Sequence, residues 1–481
     1  MKEIKSNPVL SIFDEITKVP RPSKHEEKIV SWLLKWAETR GVEARRDAVG
    51  NVLMTVPATV GKEGKEPTIL QAHVDMVCEK RDGVQHDFMT DAIRYKIDGD
   101  WMRSEGTTLG ADDGIGVASA LAVVEEGRAG RLSHGPLYLL FTIDEETGLT
   151  GAYALGSDFL PAKRLINLDS EDDGEIFIGC AGGCTTTATL KVGRDAAGAG
   201  KLGVCITLKG LHGGHSGGDI HIGYANAVQL MARFANIAEE KCGLRVSTFD
   251  AGGLHNAIAR EAKLVGVVPA EAREALRVEL NVFAAEVESE YRGVEDVIDF
   301  DVETLLDTPV ETVLTAESQA ALIGGLLACP HGVLANSHEI ENLVQTSTNL
   351  ASVRTEGETV RIVTSQRSMI ASGHKWAKAA VTSALKLMGA KVESSEGYPA
   401  WQPKPESALL KEACKAYKEQ TGDEAKVKAI HAGLECGLFL EKNPSLDMIS
   451  VGPTLRAVHT PDESLYLPSL ERFWNFLKAI L

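Results

Sequence analysis

With 481 residues, 44% of them hydrophobic, the chain exceeds one ordinary core and reads as two or three domains with ample apolar material. Lysine and arginine total 50 against 68 aspartates and glutamates, and the resulting net charge of −18 disfavours nucleic acid and anionic membrane surfaces as partners. None of the eight cysteines forms a Cys-x-x-Cys pair, no run approaches the roughly 18 apolar residues of a membrane helix, and the charged N-terminus lacks a signal-peptide core; a cytoplasmic protein with reduced thiols is expected.

Two helices are predicted first, Ile4 to Lys18 and Lys24 to Arg40, punctuated by Pro20-Arg-Pro22, with Ser23 ahead of His25-Glu26-Glu27 as an N-cap. Val42 to Val56 reads as two strands around the turn signal Gly50-Asn51, and a polar loop at Glu63 to Lys65 leads into an apolar strand, Pro67 to Leu70. That strand runs into Gln71-Ala-His73-Val-Asp75, where residues two apart share one side of an extended chain. Glu79 to Asp100 reads as polar and irregular. Gly106-Thr-Thr-Leu-Gly-Ala-Asp112-Asp113-Gly then enters a small-residue helix, Val117 to Glu126. Pro136 to Ile143 and Arg164 to Leu168 are the nearly pure apolar runs of strands buried on both faces of an α/β sheet; the first ends in Asp144-Glu145-Glu146, the second in Asp169-Ser-Glu171.

Past Cys180-Ala-Gly-Gly-Cys184 the texture changes to the alternation of an antiparallel sheet, with strands at Thr185 to Val192 and Lys201 to Leu208. Helix Asn226 to Glu239, strands near Leu244 to Phe249 and Lys263 to Val267, and helix Glu271 to Arg292 follow. A second set, helix Glu317 to Ala328, strands Leu343 to Ser352 and Thr359 to Ser368, and helix His374 to Met388, resembles a weak internal duplication. From Glu393 the first texture returns, with Leu409 to Gln420 helical, Ala425 to Ile430 and Met448 to Val451 extended, and Ser469 to Leu481 closing as a helix. The expected organisation is an α/β domain, 1–183 and 397–481, interrupted by an insertion, 184–396.

His73, Asp112, Glu146 and Asp169 each lie just beyond a predicted strand or at a helix entrance, and His459 follows the last strand. Open α/β sheets build their sites along one such edge. Singly, each cluster is as readily a hydrogen-bonded histidine or a solvated cap; together, two imidazoles and three carboxylates suit two zinc-like ions with one bridging carboxylate. Paired ions of this kind activate a water and polarise a carbonyl. Glu145, beside a ligand but pointing elsewhere, suits the proton-acceptor role, and Asp75 suits holding the His73 tautomer.

The order His-x-Asp, Gly-Ala-Asp-Asp-Gly, Asp-Glu-Glu-Thr-Gly, Asn-Leu-Asp and a late His is similar to the co-catalytic zinc exopeptidases. Leu211-His-Gly-Gly-His215-Ser-Gly-Gly, Ile430-His-Ala-Gly-Leu-Glu435-Cys-Gly and Ser450-Val-Gly-Pro-Thr bring the likeness closer, over almost the whole chain, to the cytosolic aminoacyl-histidine dipeptidases. The resemblance implies a di-zinc exopeptidase-like α/β catalytic domain, with a mixed central sheet and helices on both faces, interrupted by an α+β lid that serves dimerisation. It implies His73 and Asp169 on one ion, Glu146 and His459 on the other, Asp112 bridging, Glu145 as general base and Asp75 behind His73. It also implies His215 as an oxyanion donor, and two zinc ions for which cobalt or manganese can substitute. Asn256 and Arg367 are candidates for the substrate carboxylate; Glu435 meets the substrate amino group or serves as a structural acid. The expected activity is hydrolysis of dipeptides, Xaa-His among them, by a homodimer whose partner is a small peptide substrate, with a related peptidase or aminoacylase of other specificity, or a non-catalytic binding protein, as the alternatives. The chain departs from the pattern in Asp113, where close relatives carry Asn, and in Ala259, where the family has Pro after the Ile258 position.

A rival constellation is Gly214-His-Ser216-Gly-Gly218, which fits the serine-hydrolase elbow Gly-x-Ser-x-Gly downstream of a strand. Asp219 and His221 give it no acid and histidine at useful spacing. His212, His215 and His221 also read as a separate metal cluster or as a glycine-rich loop presenting one histidine.

Overall fold

Six consecutive buried residues, Thr68–His73, form the strand beside which the sheet of the first unit is laid down. The computed structural model describes residues 7–306, 309–338 and 340–481, so the first residues of the helix expected from Ile4 lie outside the described residues. The chain divides into two compact units, one comprising Met1–Cys180, Trp401–Ala429 and Leu434–Leu481, the other Ala181–Ala400 and Ile430–Gly433.

In the first unit the sheet strands are β1 (Glu43–Arg46), β2 (Val52–Val56), β3 (Thr68–His73), β4 (Leu137–Thr142), β5 (Arg164–Asn167), β6 (Glu175–Cys180), β7 (Lys426–Ile430) and β8 (Asp447–Ser450). Their spatial order is β1-β2-β4-β3-β5-β8-β6-β7. β4, β3, β5 and β8 run parallel, whereas β1, β2 and β6 pair antiparallel, which makes the sheet mixed. The parallel set is the part whose continuous apolar runs signalled burial on both faces. Their C-terminal ends share one edge, so His73, Asp144–Glu146 and Asp169 leave the sheet side by side.

Helix Ala111–Arg128 is buried almost continuously from Asp113 to Val124 and packs against β3 and helix Pro8–Ile16. Its small residues permit that close approach, since a helix apolar all round is a buried one. Each large aliphatic or aromatic side chain buried here, such as Leu121, Phe13 or Phe141, contributes about 1.5–3 kcal/mol of transfer free energy. Ser23 does not cap the second helix as expected. That helix begins at Glu27 behind Glu26, and the Ser23 hydroxyl instead donates to Asp75 at 2.7 Å. The stretch from Glu79 to Asp100 is also less irregular than its polarity suggests. Tyr95–Asp98 pairs with Trp101–Ser104, which pairs in turn with Ser464–Tyr466 and, through it, with Leu455–Arg456 in a small antiparallel sheet.

A buried polar row crosses the parallel strands. Asn167 Nδ2 donates to Gln71 Oε1 at 2.6 Å, Gln71 Nε2 donates to Thr142 Oγ1 at 3.1 Å and to Glu435 Oε2 at 2.6 Å, and Thr142 donates to Glu435 at 2.7 Å. Buried polar groups satisfied in this way fix strand register and side-chain position together.

The second unit is a nine-stranded antiparallel sheet with helices Ala227–Cys242, Arg273–Glu290, Ala316–Ala328 and Ala371–Leu387. Its longest pairing joins Val344–Glu356 to Thr359–Ser368, which pairs with Gly182–Lys191. Helix Ala227–Cys242 starts at the expected Asn226, whose side chain accepts from Val228 and Gln229.

Asn51 ties the first hairpin to the acidic turn after β4, because its Oδ1 accepts from Ile143 N and its Nδ2 donates to Gly151 O. Replacing it by Ala strands both backbone groups, and the thermal midpoint is expected to fall by an amount equivalent to about 1–3 kcal/mol; an unchanged midpoint would deny that tie.

Candidate functional site

Asp112 stands between two imidazoles. His73 Nε2 lies 3.0 Å from its Oδ1 and His459 Nε2 lies 3.0 Å from its Oδ2. Asp169 Oδ1 is 3.4 Å from the same His73 nitrogen, and Glu146 Oε2 is 2.9 Å from the same His459 nitrogen. The structure thus brings the five sequence-selected residues into one cluster, from three strand ends, one helix entrance and one hairpin loop. The peptide between Asp112 and Asp113 is cis, and both residues depart from helical dihedrals at the start of their helix. His459 and Asp144, the residue before Glu145, adopt φ of +62° and +48°. For a side-chain-bearing residue this left-handed region costs about 1–2 kcal/mol, a strain that characteristically sits at functional turns.

Asp75 is fully buried and is used completely. Its Oδ1 accepts from Glu145 N at 3.0 Å, its Oδ2 accepts from Glu146 N at 3.3 Å and from the Ser23 hydroxyl, and His73 Nδ1 lies 3.3 Å from Oδ1. The last is an ion-pair contact more than an aligned hydrogen bond, since His73 Nδ1 has no partner of good geometry. One carboxylate therefore orients the histidine ahead of it and the acidic turn beside it. Sequence reasoning missed Asp113 as a supporting group: its carboxylate accepts from His73 N at 3.2 Å and from Gly116 N at 3.1 Å. The doubled acid in Asp112-Asp113 was the available signal.

The charges in the cluster strain against one another. Burial, with His73 opposing and Asp169, Glu146 and Glu435 adding like charge, pushes Glu145 well above the usual carboxylate range. Burial and neighbouring carboxylates push Asp169 up to about 7, against the pull of His73. Burial works against a charged His459, but its hydrogen bonds to the Asp112 and Glu146 carboxylates, with their negative charge, outweigh it and hold that imidazole up at about 11. Burial works against ionisation of Asp112 too, yet the two histidines hold it below the usual range. His73, Asp112 and Glu146 offer ligand atoms within 4.8 Å of one another, as do His73, Asp113 and Asp169. A buried Glu146 Oε1 without a hydrogen-bond partner points to a missing positive neighbour. Imidazole and carboxylate donors gathered this closely fit divalent cations. The third acidic group, Glu26 with Asp75 and Asp144, has its oxygens taken up by backbone and hydroxyl donors, among them Lys24 N, Asp144 N and the Thr147 and Thr150 hydroxyls.

Glu435 is fully buried at the end of the polar row; Gln71 and Thr142 hold one oxygen, the other has no partner, and burial pushes the acid up to about 8. His215, Asn256 and Arg367 belong to the second unit, which brings them together. His215 bridges to Ala257, Ser216 N donates to Asn256 O at 2.8 Å, and Arg367 Nη2 lies 3.4 Å from His215 Nε2. Asn256 is exposed, whereas Arg367 is 8% exposed, anchored to the Tyr398 hydroxyl at 2.9 Å, with its Nε unpartnered. His212 is engaged by Glu295 at 2.9 Å and Asp296 at 3.1 Å, and His215 Nδ1 accepts from Gly218 N, so no three-histidine metal group forms among the described residues.

Comparison with known proteins decides the family. Residues 69–481 match the model of peptidase family M20/M25/M40. The chain belongs to this family. It is 40% identical over 483 aligned residues to the cytosol non-specific dipeptidase of Escherichia coli, covering 100% of this chain and 98% of that protein. The crystal structure of aminoacylhistidine dipeptidase from Vibrio alginolyticus superposes with a TM-score of 0.87 at 41% identity, covering 100% of this chain and 98% of the other. Aminopeptidase PepT from Bacillus cereus, at 19% identity and a TM-score of 0.61 over 98% and 97% of the two chains, shares the fold.

The M20/M25/M40 fold also disposes of the serine-elbow reading. Ser216 lies in a loop after the strand Lys201–Lys209, with a three-residue 3-10 turn beyond it and no strand–turn–helix elbow, and its hydroxyl accepts weakly from Arg367 at 3.5 Å. Ser216→Ala is expected to keep peptidase activity within about tenfold, the size of a lost weak polar contact; covalent labelling of Ser216 by a phosphonylating reagent, with loss of activity, would contradict this.

Proposed function

We propose that this M20/M25/M40 peptidase is a metal-dependent dipeptidase whose substrates include Xaa-His dipeptides, with His73 and Asp169 holding one divalent cation, Glu146 and His459 a second, and Asp112 both. The observation that carries the reading is the pairing of both imidazoles on the two oxygens of Asp112, with one further carboxylate on each side. Zinc is the proposed ion, with cobalt or manganese able to replace it. Bound at such a site, two ions lower the pKa of a water and polarise the scissile carbonyl.

The chain's own residues supply the rest. Glu145 takes the proton of the attacking water and passes it to the leaving amine, a role suited to a carboxyl group whose burial and like-charged neighbours make it a stronger base than a surface acid. Asp75 keeps His73 and the Glu145–Glu146 turn oriented. His215 donates to the developing oxyanion, and Arg367 with Asn256 holds the substrate carboxylate; the buried guanidinium with an unpartnered Nε beside His215 supports this pairing. Glu435, with one unpartnered oxygen, meets the substrate ammonium.

The reading includes the second unit as a lid and dimerisation domain, expected over 184–396, where Val278, Val282, Trp376 and Leu387 are exposed. A cytosolic setting agrees with the name of the Escherichia coli relative and with eight free cysteines. No helix among the described residues is long and apolar enough to cross a membrane.

Glu145→Gln is expected to retain both ions by elemental analysis while kcat falls by about 10²–10⁴-fold, the usual worth of a general base; near-normal turnover would remove it from that role. His459→Ala is expected to lose one ion per chain, and unchanged stoichiometry would break the assignment. A panel of Xaa-His, Xaa-Leu and N-acetyl amino acid substrates, assayed on chelated protein with and without zinc, reads specificity: restored cleavage of Xaa-His supports the proposal, and cleavage of the others alone assigns a neighbouring peptidase or acylase activity.

A further inference from the structure

Glu463 lies four residues beyond His459 and is 2% exposed. Both its oxygens are spent on consecutive backbone N–H groups: Oε2 accepts from Leu109 at 2.7 Å and Gly110 at 2.9 Å, and Oε1 from Ala111 at 2.7 Å and Asp112 at 3.3 Å. These are the donors that open helix Ala111–Arg128, where an anion is favoured and where intrahelical partners are lacking. The same loop carries His459, since it connects Leu455–Arg456 to Ser464–Tyr466. The small sheet holds Ser464 against Arg103, so both loops leave one rigid base.

Arg21 approaches the loop from the other side. It is 3% exposed; its Nη1 donates to Val74 O at 3.0 Å and Asp75 O at 2.8 Å, and its Nη2 donates to Gly110 O. A Cβ at Gly110 or at Gly114 would lie 2.5 Å from Nη2, so the two glycines leave the space that the guanidinium fills; Gly110 also has φ +68°. The charges around Arg21 are those of Glu463, Asp75, Asp113 and Asp112.

We propose that Glu463 and Arg21 are positioning residues of the metal centre: together they strap the Leu109–Asp112 loop to the segments carrying His73 and His459, and so hold the Asp112 carboxylate between the two imidazoles. The inference rests on the reading of that cluster as a metal site. Both act through the backbone of the Leu109–Asp112 and Val74–Asp75 segments. A carboxylate is required at 463 because four donors converge there; a glutamine offers one acceptor oxygen and turns an NH₂ group toward two N–H groups.

The test compares wild type, E463Q, E463D and R21K after metal removal. Zinc affinity is read by competition with a chromophoric chelator, and amide hydrogen exchange is followed at Leu109–Asp112 and, as an internal reference, in Thr68–His73. Expected are an about 10–100-fold weaker zinc affinity in E463Q, faster exchange at Leu109–Asp112 with the reference strand unchanged, and a smaller loss in E463D. Zinc affinity within twofold of wild type in E463Q overturns the proposal. If E463Q does not fold, R21K, which keeps the charge but cannot reach three carbonyls, decides in the same way: weakened zinc binding supports the strap and unchanged binding overturns it. A wild type that takes up no zinc overturns the metal-site reading itself, a result distinct from a wild type and an E463Q that bind equally well.

Discussion

The contact on which the site depends is that of one carboxylate, Asp112, shared between His73 and His459. The histidines stand 386 positions apart in a chain of 481 residues, at a sheet edge and in a late hairpin loop, and the carboxylate contacts both from the first turn of a buried helix. Around it the protein concentrates Asp75, Asp113, Glu145, Glu146, Asp169 and Glu435, a density of acid that burial makes unfavourable for the ionised forms. Such a cluster is the reverse of what stability alone selects, and buried groups that work against stability characteristically sit at functional sites.

Much of this was legible in the sequence because the parallel strands announce themselves. Apolar runs such as Leu137–Thr142 cannot be surface strands, and whatever follows them falls on the edge where α/β sheets place their chemistry. The five clustered residues were found by that rule together with family likeness. Asp113, Arg21, Ser23 and Glu463 were not found as parts of the site, because their roles depend on contacts across long stretches of chain. Ser23 has every local mark of a helix cap, where its oxygen would accept from backbone N–H groups, and instead donates its O–H to the buried Asp75 carboxylate, a charge-assisted hydrogen bond. The hairpin Tyr95–Ser104 is short and lies next to a long polar stretch, and it pairs with residues from the far end of the chain.

Burial also separates the two ways in which polar residues serve this protein. Gln71, Asn167 and Thr142 satisfy one another across three strands and leave only one oxygen of Glu435 open. Arg367 in the second unit repeats the arrangement with opposite charge: Tyr398 anchors one end of the guanidinium and Nε stays unpartnered. In each case a side chain is fixed by neighbours at one atom and left unsatisfied at another. An unpaired buried polar atom costs about 1–3 kcal/mol, and each of these two side chains carries that cost beside atoms that are satisfied. The open atoms are a carboxylate oxygen and a guanidinium nitrogen, the complements of an ammonium and a carboxylate.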